Sequence, residues 1–296
     1  LGIDIGICTF RRPQIADTLR SLAKLTVQPE WNLRIIVADN DTEPSAQTLI
    51  RDTASHTGLR VVYIHAPARN ISIARNACLA AANAPLLAFI DDDEVATPAW
   101  LGALVETLAR TGADAVFGPV RAIYNGNSPA WMLKGDFHST VPVEVKGEII
   151  TGYTCNVLFR REAAPFQGLR FREDLGRSGG EDTVFFSNAY KKGARIAYAP
   201  GAVVNEAVAP DRQNFVWLAR RRFRAGQTHG LLMLEDRPRT RLPNLAKAMA
   251  KAIFCFAAAF ILVIKMDRAR YWILRGMLHC GVVARLLGKR ERAHYG

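Results

Sequence analysis

The sequence predicts an α/β protein whose mainly parallel sheet is covered by helices on both faces. Three observations predict it. Strand-like and helix-like segments alternate through the first half of the chain. The strand segments are near-continuous apolar runs rather than alternating ones, the mark of strands buried on both faces. The polar, chemically distinctive residues cluster just after those runs, at the strand ends where open α/β sheets bind ligands.

The strands fall at 3–9 (IDIGICT), 33–39 (LRIIVAD), 60–65 (RVVYIH), 86–90 (LLAFI) and 114–120 (DAVFGPV). Helix-like periodicity lies between them, near 14–27, 44–56, 71–83 and 97–110. Pro98 directly after Thr97 suits a capped helix start. Residues 121–150 lose the pattern and carry Asn, Gly and Pro turn signals with Trp131, Phe137 and His138, an excursion over one face. Strand patterns return at 152–160, 195–200 and 202–208. The Gly-rich GRSGGED (176–182) opens a helix, and 212–229 reads as a very basic helix. EDRPRTRLPN (235–244) reads as a linker, placing the expected boundary between a catalytic domain, 1–234, and a helical tail, 235–296.

Charge sets that tail apart. Residues 211–296 hold 18 Lys and Arg against 5 Asp and Glu, a net of +13, while the first 210 carry 21 against 22. A basic tail suits a membrane surface, an anionic substrate or nucleic acid. The tail aromatics sit in apolar runs rather than interleaved with basic residues, so a nucleic-acid partner is not expected. The uncharged run Ala252–Ile264 is 13 residues, short of the roughly 20 that span a bilayer. Arg275, His279 and Arg285 interrupt the second apolar stretch, 271–288. Both stretches fit helices lying in the headgroup region. The opening Leu-Gly-Ile-Asp lacks the features of a signal peptide. The five cysteines are widely spaced and suggest neither a disulfide framework nor a zinc site.

Asp91, Asp92, Asp93 and Glu94 stand in a row behind an apolar strand. Four adjacent carboxylates repel one another; one account is a solvated acidic loop capping the helix at 97. A hard divalent cation, Mg²⁺ or Mn²⁺, explains them, since such ions take oxygen ligands from one or two carboxylates and a substrate phosphate. Three further segments arrive at strand ends: CTFRRP (8–13), ADND (38–41) and RNISIARN (69–76). Together they offer an aromatic face, carboxylates and guanidinium groups, an inventory that suits a nucleoside diphosphate.

In this order and spacing, ICTFRRP, VADND, RNISIARN, FIDDDE and GGED resemble glycosyltransferase family 2 over about residues 1–230. WLARRRFRAGQ (217–227) is similar to the Arg-rich helix of bacterial exopolysaccharide transferases, and within the family the likeness leans to the glucosyltransferases of succinoglycan assembly. The resemblance implies a GT-A nucleotide-sugar (Rossmann-like) fold and an inverting transferase, moving glucose from a UDP-sugar donor to a lipid-linked oligosaccharide acceptor with Mn²⁺ or Mg²⁺. With the missing signal-peptide features and the basic apolar tail, the need for a UDP-sugar leads to the expectation of a place on the cytoplasmic face of the bacterial inner membrane, peripheral or monotopic. By position the resemblance makes Phe10 the ring that stacks on uracil, with Thr9 and Arg11 beside it, Asp39 the acceptor for the uracil N–H, and Arg69 a base-contacting cation. Arg75 supports the diphosphate; Asp91 and Asp92 belong to the ribose- and metal-binding acid loop, with Asp93 and Asp91 as metal ligands; Asp182 is the base, with Glu181 beside it. Where many relatives carry a metal-contacting His, this chain has Asn205-Glu206.

Three other readings compete. A nucleotidyltransferase also needs metal, carboxylates and cations, but expects a Gly-rich phosphate loop after the first strand, and CTFRRP is a poor one. A nucleic-acid-binding module would rest on the basic tail alone. A membrane scaffold carrying an inactive transferase domain would have no use for intact Asp91, Asp93 and Asp182.

Overall fold

The structure is a computed structural model and describes residues 1–126, 128–236 and 238–289. Arg237 of the expected linker and residues 290–296 of the expected tail lie outside the described residues.

The chain begins β1 (Gly2–Thr9), α1 (Ile15–Leu22), β2 (Asn32–Asp39), α2 (Gln47–Thr57), β3 (Val61–His65), α3 (Ile71–Ala81) and β4 (Leu86–Ile90). This is the strand–helix alternation that the sequence predicts. It continues with β5 (Glu94–Ala96), α4 (Trp100–Thr111), β6 (Ala115–Phe117), β7 (Val120–Ile123), α5 (Ala130–Gly135), β8 (Glu144–Val145), β9 (Glu148–Ile149) and β10 (Asn156–Arg160). Then come α6 (Glu181–Lys191), β11 (Ile196–Tyr198), β12 (Val204–Ala207), α7 (Phe215–Asp236), α8 (Arg241–Ile261) and α9 (Met266–Leu286).

Seven strands form the main sheet in the order β11-β6-β10-β4-β1-β2-β3. Neighbours pair in parallel except β10, which runs antiparallel between β4 and β6. Two apolar layers cover it. One holds Ile3, Ile5, Leu19, Val37, Trp100 and Leu104, the other Ala74, Phe89, Phe159, Phe171, Phe185 and Phe186. Period-two alternation along β1 and β4 sends neighbouring side chains to opposite layers.

The structure departs from expectation at three places. The segment 114–120, expected as one strand, breaks at Gly118-Pro119 into β6 and β7. The second half joins a separate three-stranded sheet, β5-β12-β7. That sheet was not legible because β5 is three residues long and begins on the last acid of the cluster. Buried Asn156 pins the break. Its Nδ2 donates to the Pro119 and Ala202 carbonyls at 2.9 and 2.7 Å, and its Oδ1 accepts from Trp100 Nε1 at 2.7 Å. Finally, the stretch expected as a linker is mostly helical: α7 runs to Asp236, Pro238–Thr240 forms a single 3₁₀ turn, and α8 starts at Arg241.

The C-terminal helices are docked rather than loose. A Cβ on Gly226 of α7 would stand 1.9 Å from the Leu278 carbonyl oxygen, and one on Gly281 of α9 would stand 1.9 Å from that of Phe223. Only glycine allows such backbone contact. Helix α8 is the reverse of a helix on a water-soluble core. It buries Ala248, Ala252, Cys255 and Ala259 and exposes Ile253, Phe254, Phe260 and Ile261. Among the described residues one helix, Arg241–Ile261, is long and apolar enough to cross a membrane.

Asn156→Ala removes a group that satisfies one donor and two acceptors, each costing about 1–3 kcal/mol when buried unpaired. It is expected to lower stability by about 3 kcal/mol or more, read as a reduced urea midpoint without a change in slope.

Candidate functional site

Thr9, Asp39 and the acid row all follow the carboxyl ends of parallel strands β1, β2 and β4, so the sheet delivers them to one edge. There a cleft of about 420 Å³ opens. Thr9, Phe10, Arg12, Asn40, Arg75, Asp91, Asp92, Asp93, Glu94, Glu181 and Glu206 line it, with His138, Asp211, Arg212, Trp217, Arg221 and Arg224 closing the far side.

The acid row is a tight turn. Glu94 N–H donates to the Asp91 carbonyl at 3.3 Å, and Glu94 Oε2 accepts from Asp91 N–H at 2.9 Å. Thr9 Oγ1 donates to Asp92 Oδ2 at 2.7 Å. Arg12 pairs with Asp93 and stands 3.6 Å from Asp92. Arg212 lies 4.0 Å from Asp93 and 2.9 Å from Glu206. Arg75 pairs with Glu181 and lies 3.9 Å from Asp91. Burial, and then the negative neighbour Asp93, push Asp91 up to about 6 and Asp92 up to about 7. Burial raises Glu94 and Glu206 as well.

The donor set is all oxygen, and the lining holds seven carboxylates against five guanidinium groups, a formal surplus of two negative charges. That chemistry fits a hard divalent cation. Among the described residues no three such side chains converge on one point. The arrangement therefore suits an ion that takes one or two protein carboxylates, Asp93 and Asp91 foremost, and completes its shell from phosphate and water.

Helix starts position the other side. Gly179 and Gly180 have φ of 94° and 90°, and Gly180 is the N-cap of α6. The left-handed backbone turns Glu181 and Asp182 into the first helical turn, where the helix dipole favours carboxylates. Glu181 is buried and held by Arg75. Burial pushes its carboxyl up against the pull of Arg75. Asp182 is half-buried, outside the lining residues but within electrostatic reach of Arg75 and Asp91. Its Oδ1 accepts from the Thr183 N–H at 2.6 Å. The asparagines of RNISIARN are ties to this region. Asn70 caps α3 through Ser72 N–H at 3.1 Å and donates to the Glu173 carbonyl at 2.8 Å. Asn76 bonds both backbone groups of Phe171, at 2.8 and 2.9 Å.

Two assignments look different in three dimensions. Asp39 does not face the cleft. It is fully buried, and its oxygens accept from Asp41 N–H (3.1 Å), Ala46 N–H (2.9 Å) and the Tyr63 hydroxyl (2.8 Å), so it holds the 40–46 loop while Asn40 lines the cavity. Arg11 turns away to Asp41 at 2.7 Å, and Arg12 is the cation that meets the acid row. Arg11 and Arg69 both have positive φ, 54° and 46°, a strain that concentrates at functional loops. Arg69 Nε is buried without a partner. Of Asn205-Glu206, only Glu206 reaches the lining.

The far wall was the part sequence reasoning missed. His138 is buried and stacked on Trp217, centroids 5.3 Å apart. Its Nε2 is 3.1 Å from the Arg212 carbonyl, so that nitrogen carries the proton, and Nδ1, 3.1 Å from the Tyr124 hydroxyl, accepts. Burial pulls its pKa below the ordinary value. The signal available was the placing of Trp217 and Arg221 in the Arg-rich segment, with His138 in the aromatic excursion.

Comparison with known proteins gives consistent results. The family model described as Glycosyl transferase family 2 matches residues 4–165. The chain is 51% identical over 297 residues to succinoglycan biosynthesis protein ExoM of Rhizobium meliloti (strain 1021), covering 100% of this chain and 96% of that one. It is 25% identical over 250 residues to glucosyl-dolichyl phosphate glucuronosyltransferase of Haloferax volcanii, covering 79% and 78%. Among solved structures, mannosyltransferase PcManGT from Pyrobaculum calidifontis, in complex with GDP-Man and Mn²⁺, aligns with a TM-score of 0.65 at 19% identity over 97% of this chain and 88% of that one. S. aureus TarS 1–349 in complex with UDP-GlcNAc aligns at 0.56 with 15% identity, over 93% and 90%. At such identities these two show the shared GT-A fold.

Arg75→Ala leaves Glu181 buried and unpaired, and is expected to cost about 3–5 kcal/mol. The double substitution Arg75→Met with Glu181→Leu is expected to recover most of that stability but no activity, measured by thermal unfolding beside a transfer assay.

Proposed function

From its membership of glycosyltransferase family 2, to which the chain belongs, we infer an inverting hexosyltransferase that moves glucose from UDP-glucose to a growing lipid-linked oligosaccharide in exopolysaccharide assembly of the succinoglycan type. The observation that carries the reading is the cleft itself, where an oxygen-only acid turn, guanidinium groups, a ring and a helix-start carboxylate meet at the carboxyl edge of a parallel sheet. The 51% identical relative supports the pathway, and the UDP-GlcNAc complex of a fold neighbour supports a UDP-sugar donor.

In this reading Phe10 offers its face to the uracil, with Thr9, Asn40 and Arg69 around it. Asp39 and Arg11 act from behind, by holding the 40–46 loop through Tyr63, Ala46 and Asp41. Asp91 and Asp92 face the ribose and diphosphate side. Asp93, with Asp91, would hold Mn²⁺ or Mg²⁺, which when bound offsets charge on the diphosphate leaving group. Arg12, Arg75 and Arg212 add preorganised positive charge where that leaving group develops its own. Glu181 is committed to Arg75, so the proton falls to Asp182, which no cation pairs among the described residues. Asp182 takes the acceptor hydroxyl's proton as that oxygen attacks the sugar carbon opposite the diphosphate. One displacement inverts the anomeric centre. Trp217, backed by the stacked His138 on the opposite wall, offers an aromatic surface for the acceptor sugar.

The apolar outer face of α8 and the charge of +13 over residues 211–296 support attachment to the cytoplasmic face of the bacterial inner membrane, peripheral or monotopic.

UDP-glucose hydrolysis with Mn²⁺ and Mg²⁺ tests the donor and the ion together. Asp93→Ala is expected to abolish turnover and weaken metal-dependent UDP binding; full activity in that variant or in excess EDTA would sink the metal role. Asp182→Asn is expected to lose roughly 10²–10⁴-fold in rate with donor affinity unchanged. Collapse of donor binding, with the rate at saturation kept, would make Asp182 a donor ligand instead. Replacing Phe254, Phe260 and Ile261 together by Gln is expected to release the protein from anionic vesicles while UDP binding survives, and unchanged flotation would defeat the membrane contact.

A further inference from the structure

A second cavity, of about 390 Å³, lies on the other side of α7, between the 135–137 turn and α9. Its polar wall is cationic. Arg222 and Arg275 line it with His279 and Tyr271, against one carboxylate, Asp136. Asp136 is already engaged, its Oδ1 accepting from Ser139 Oγ at 2.7 Å. Arg222 makes no ion pair or hydrogen bond among the described residues. Burial, then Arg221, disfavour its charge, and Tyr271 alone favours it. Arg275 donates to the Tyr271 hydroxyl at 3.1 Å and meets no carboxylate among the described residues. A half-buried guanidinium without an acid is costly to maintain, and an anion in the cavity would repay that cost.

The other walls are greasy. Tyr271 contacts Trp272 (centroids 5.6 Å), and Trp272 contacts Phe254 (5.6 Å), which is 62% exposed on the outer face of α8. A chain of rings thus leads from the cations to the apolar surface. A ligand matching both is an anionic amphiphile: phosphate in the cavity, hydrocarbon along α8.

The two cavities share their partitions. Arg222 faces this one, while its neighbour Arg221 lines the catalytic cleft. The 135–138 turn gives Phe137 to one and His138 to the other. We propose that this cavity binds the phosphate of the acceptor's lipid carrier, so that the attached sugar is presented around the 135–138 turn to the catalytic cleft. The inference rests on the lipid-linked acceptor proposed above and adds the place where it is gripped.

The test is flotation of the full-length protein with phosphatidylcholine vesicles carrying either a polyprenyl phosphate or phosphatidylglycerol at equal surface charge. The protein is expected to prefer the polyprenyl phosphate by about tenfold or more, the scale of one to two charge-assisted hydrogen bonds. Arg222→Ala and Arg275→Ala are each expected to remove the preference, and Arg222→Lys to keep part of it. Lys265→Gln with Arg268→Gln, which removes two exposed charges outside the cavity, is expected to lower both arms together and keep the ratio. UDP-glucose hydrolysis in the cavity variants is expected to match the parent and shows that they are folded. Absence of a preference, or its loss in the 265/268 variant, overturns the proposal. Inorganic pyrophosphate that displaces the protein at the lipid's own concentration assigns the cavity to soluble phosphate and overturns the lipid assignment. Absence of UDP-glucose hydrolysis with the vesicle preference intact sinks the donor reading alone.

Discussion

Everything at the carboxyl edge depends on how a turn of four adjacent carboxylates is kept from repelling itself apart. Arg12 after β1, Arg75 on α3 and Arg212 before α7 answer it from three directions. Each also ties down something else. Arg75 holds the start of α6 through Glu181, and Arg212 holds β12 through Glu206 while its carbonyl fixes the tautomer of His138. The charge balance of the acid turn is thus the joint between the sheet, the GGED turn and the far wall. It stays incomplete by two formal charges in the lining, which leaves the turn ready for a cation rather than sealed as a structural ion-pair network.

The ordering of the site follows from what each carboxylate has already been given. Asp39 has three donors and Glu181 a guanidinium, so neither is available for chemistry without dismantling its surroundings. Among the described residues, Asp182 bonds its neighbour Thr183 in the first turn of its own helix and no other side chain. Glu181 is tied to a guanidinium through one oxygen while Asp182 meets the start of its own helix, a difference between adjacent acids that only the folded chain displays.

The same distinction explains what could be read from the sequence. The strands, their mainly parallel pairing and the gathering of 8–13, 38–41, 69–76 and 91–94 at one sheet edge were legible because buried apolar runs and turn residues are local signals. The facing of individual side chains was not. Arg11 and Arg12 are neighbours on paper; that Arg12 meets Asp93 while Arg11, at positive φ, meets Asp41 is a property of the folded loop. Asp39 reads as an exposed strand-end acid because Tyr63 and Ala46, its partners, are 24 and 7 residues away. The β5-β12-β7 sheet joins segments far apart in the chain, Val204 pairing with both Ala96 and Val120, through three- and four-residue strands too short to carry a period. The apparent linker at 235–244 reads as such from its charges and prolines, yet Pro243 lies in the first turn of α8, where it removes no helical hydrogen bond.

Helix α7 is where the parts become one device. Four arginines within five positions cannot share one face, and the fold uses that fact: Arg221 and Arg224 point to the catalytic cleft and Arg222 to the cavity behind. One turn on, Gly226 brings α9 into backbone contact, so the apolar helices are fixed rigidly to the same element that closes the cleft. Thr228 then packs against Gly180 at the start of α6, beside the carboxylate pair. Through α7, whose backbone meets α9, the apolar outer face of α8 is packed onto the same element that lines the cleft. The helices from Phe215 to Leu286 are thereby tied to the start of α6 and so to the sheet that carries the acid turn.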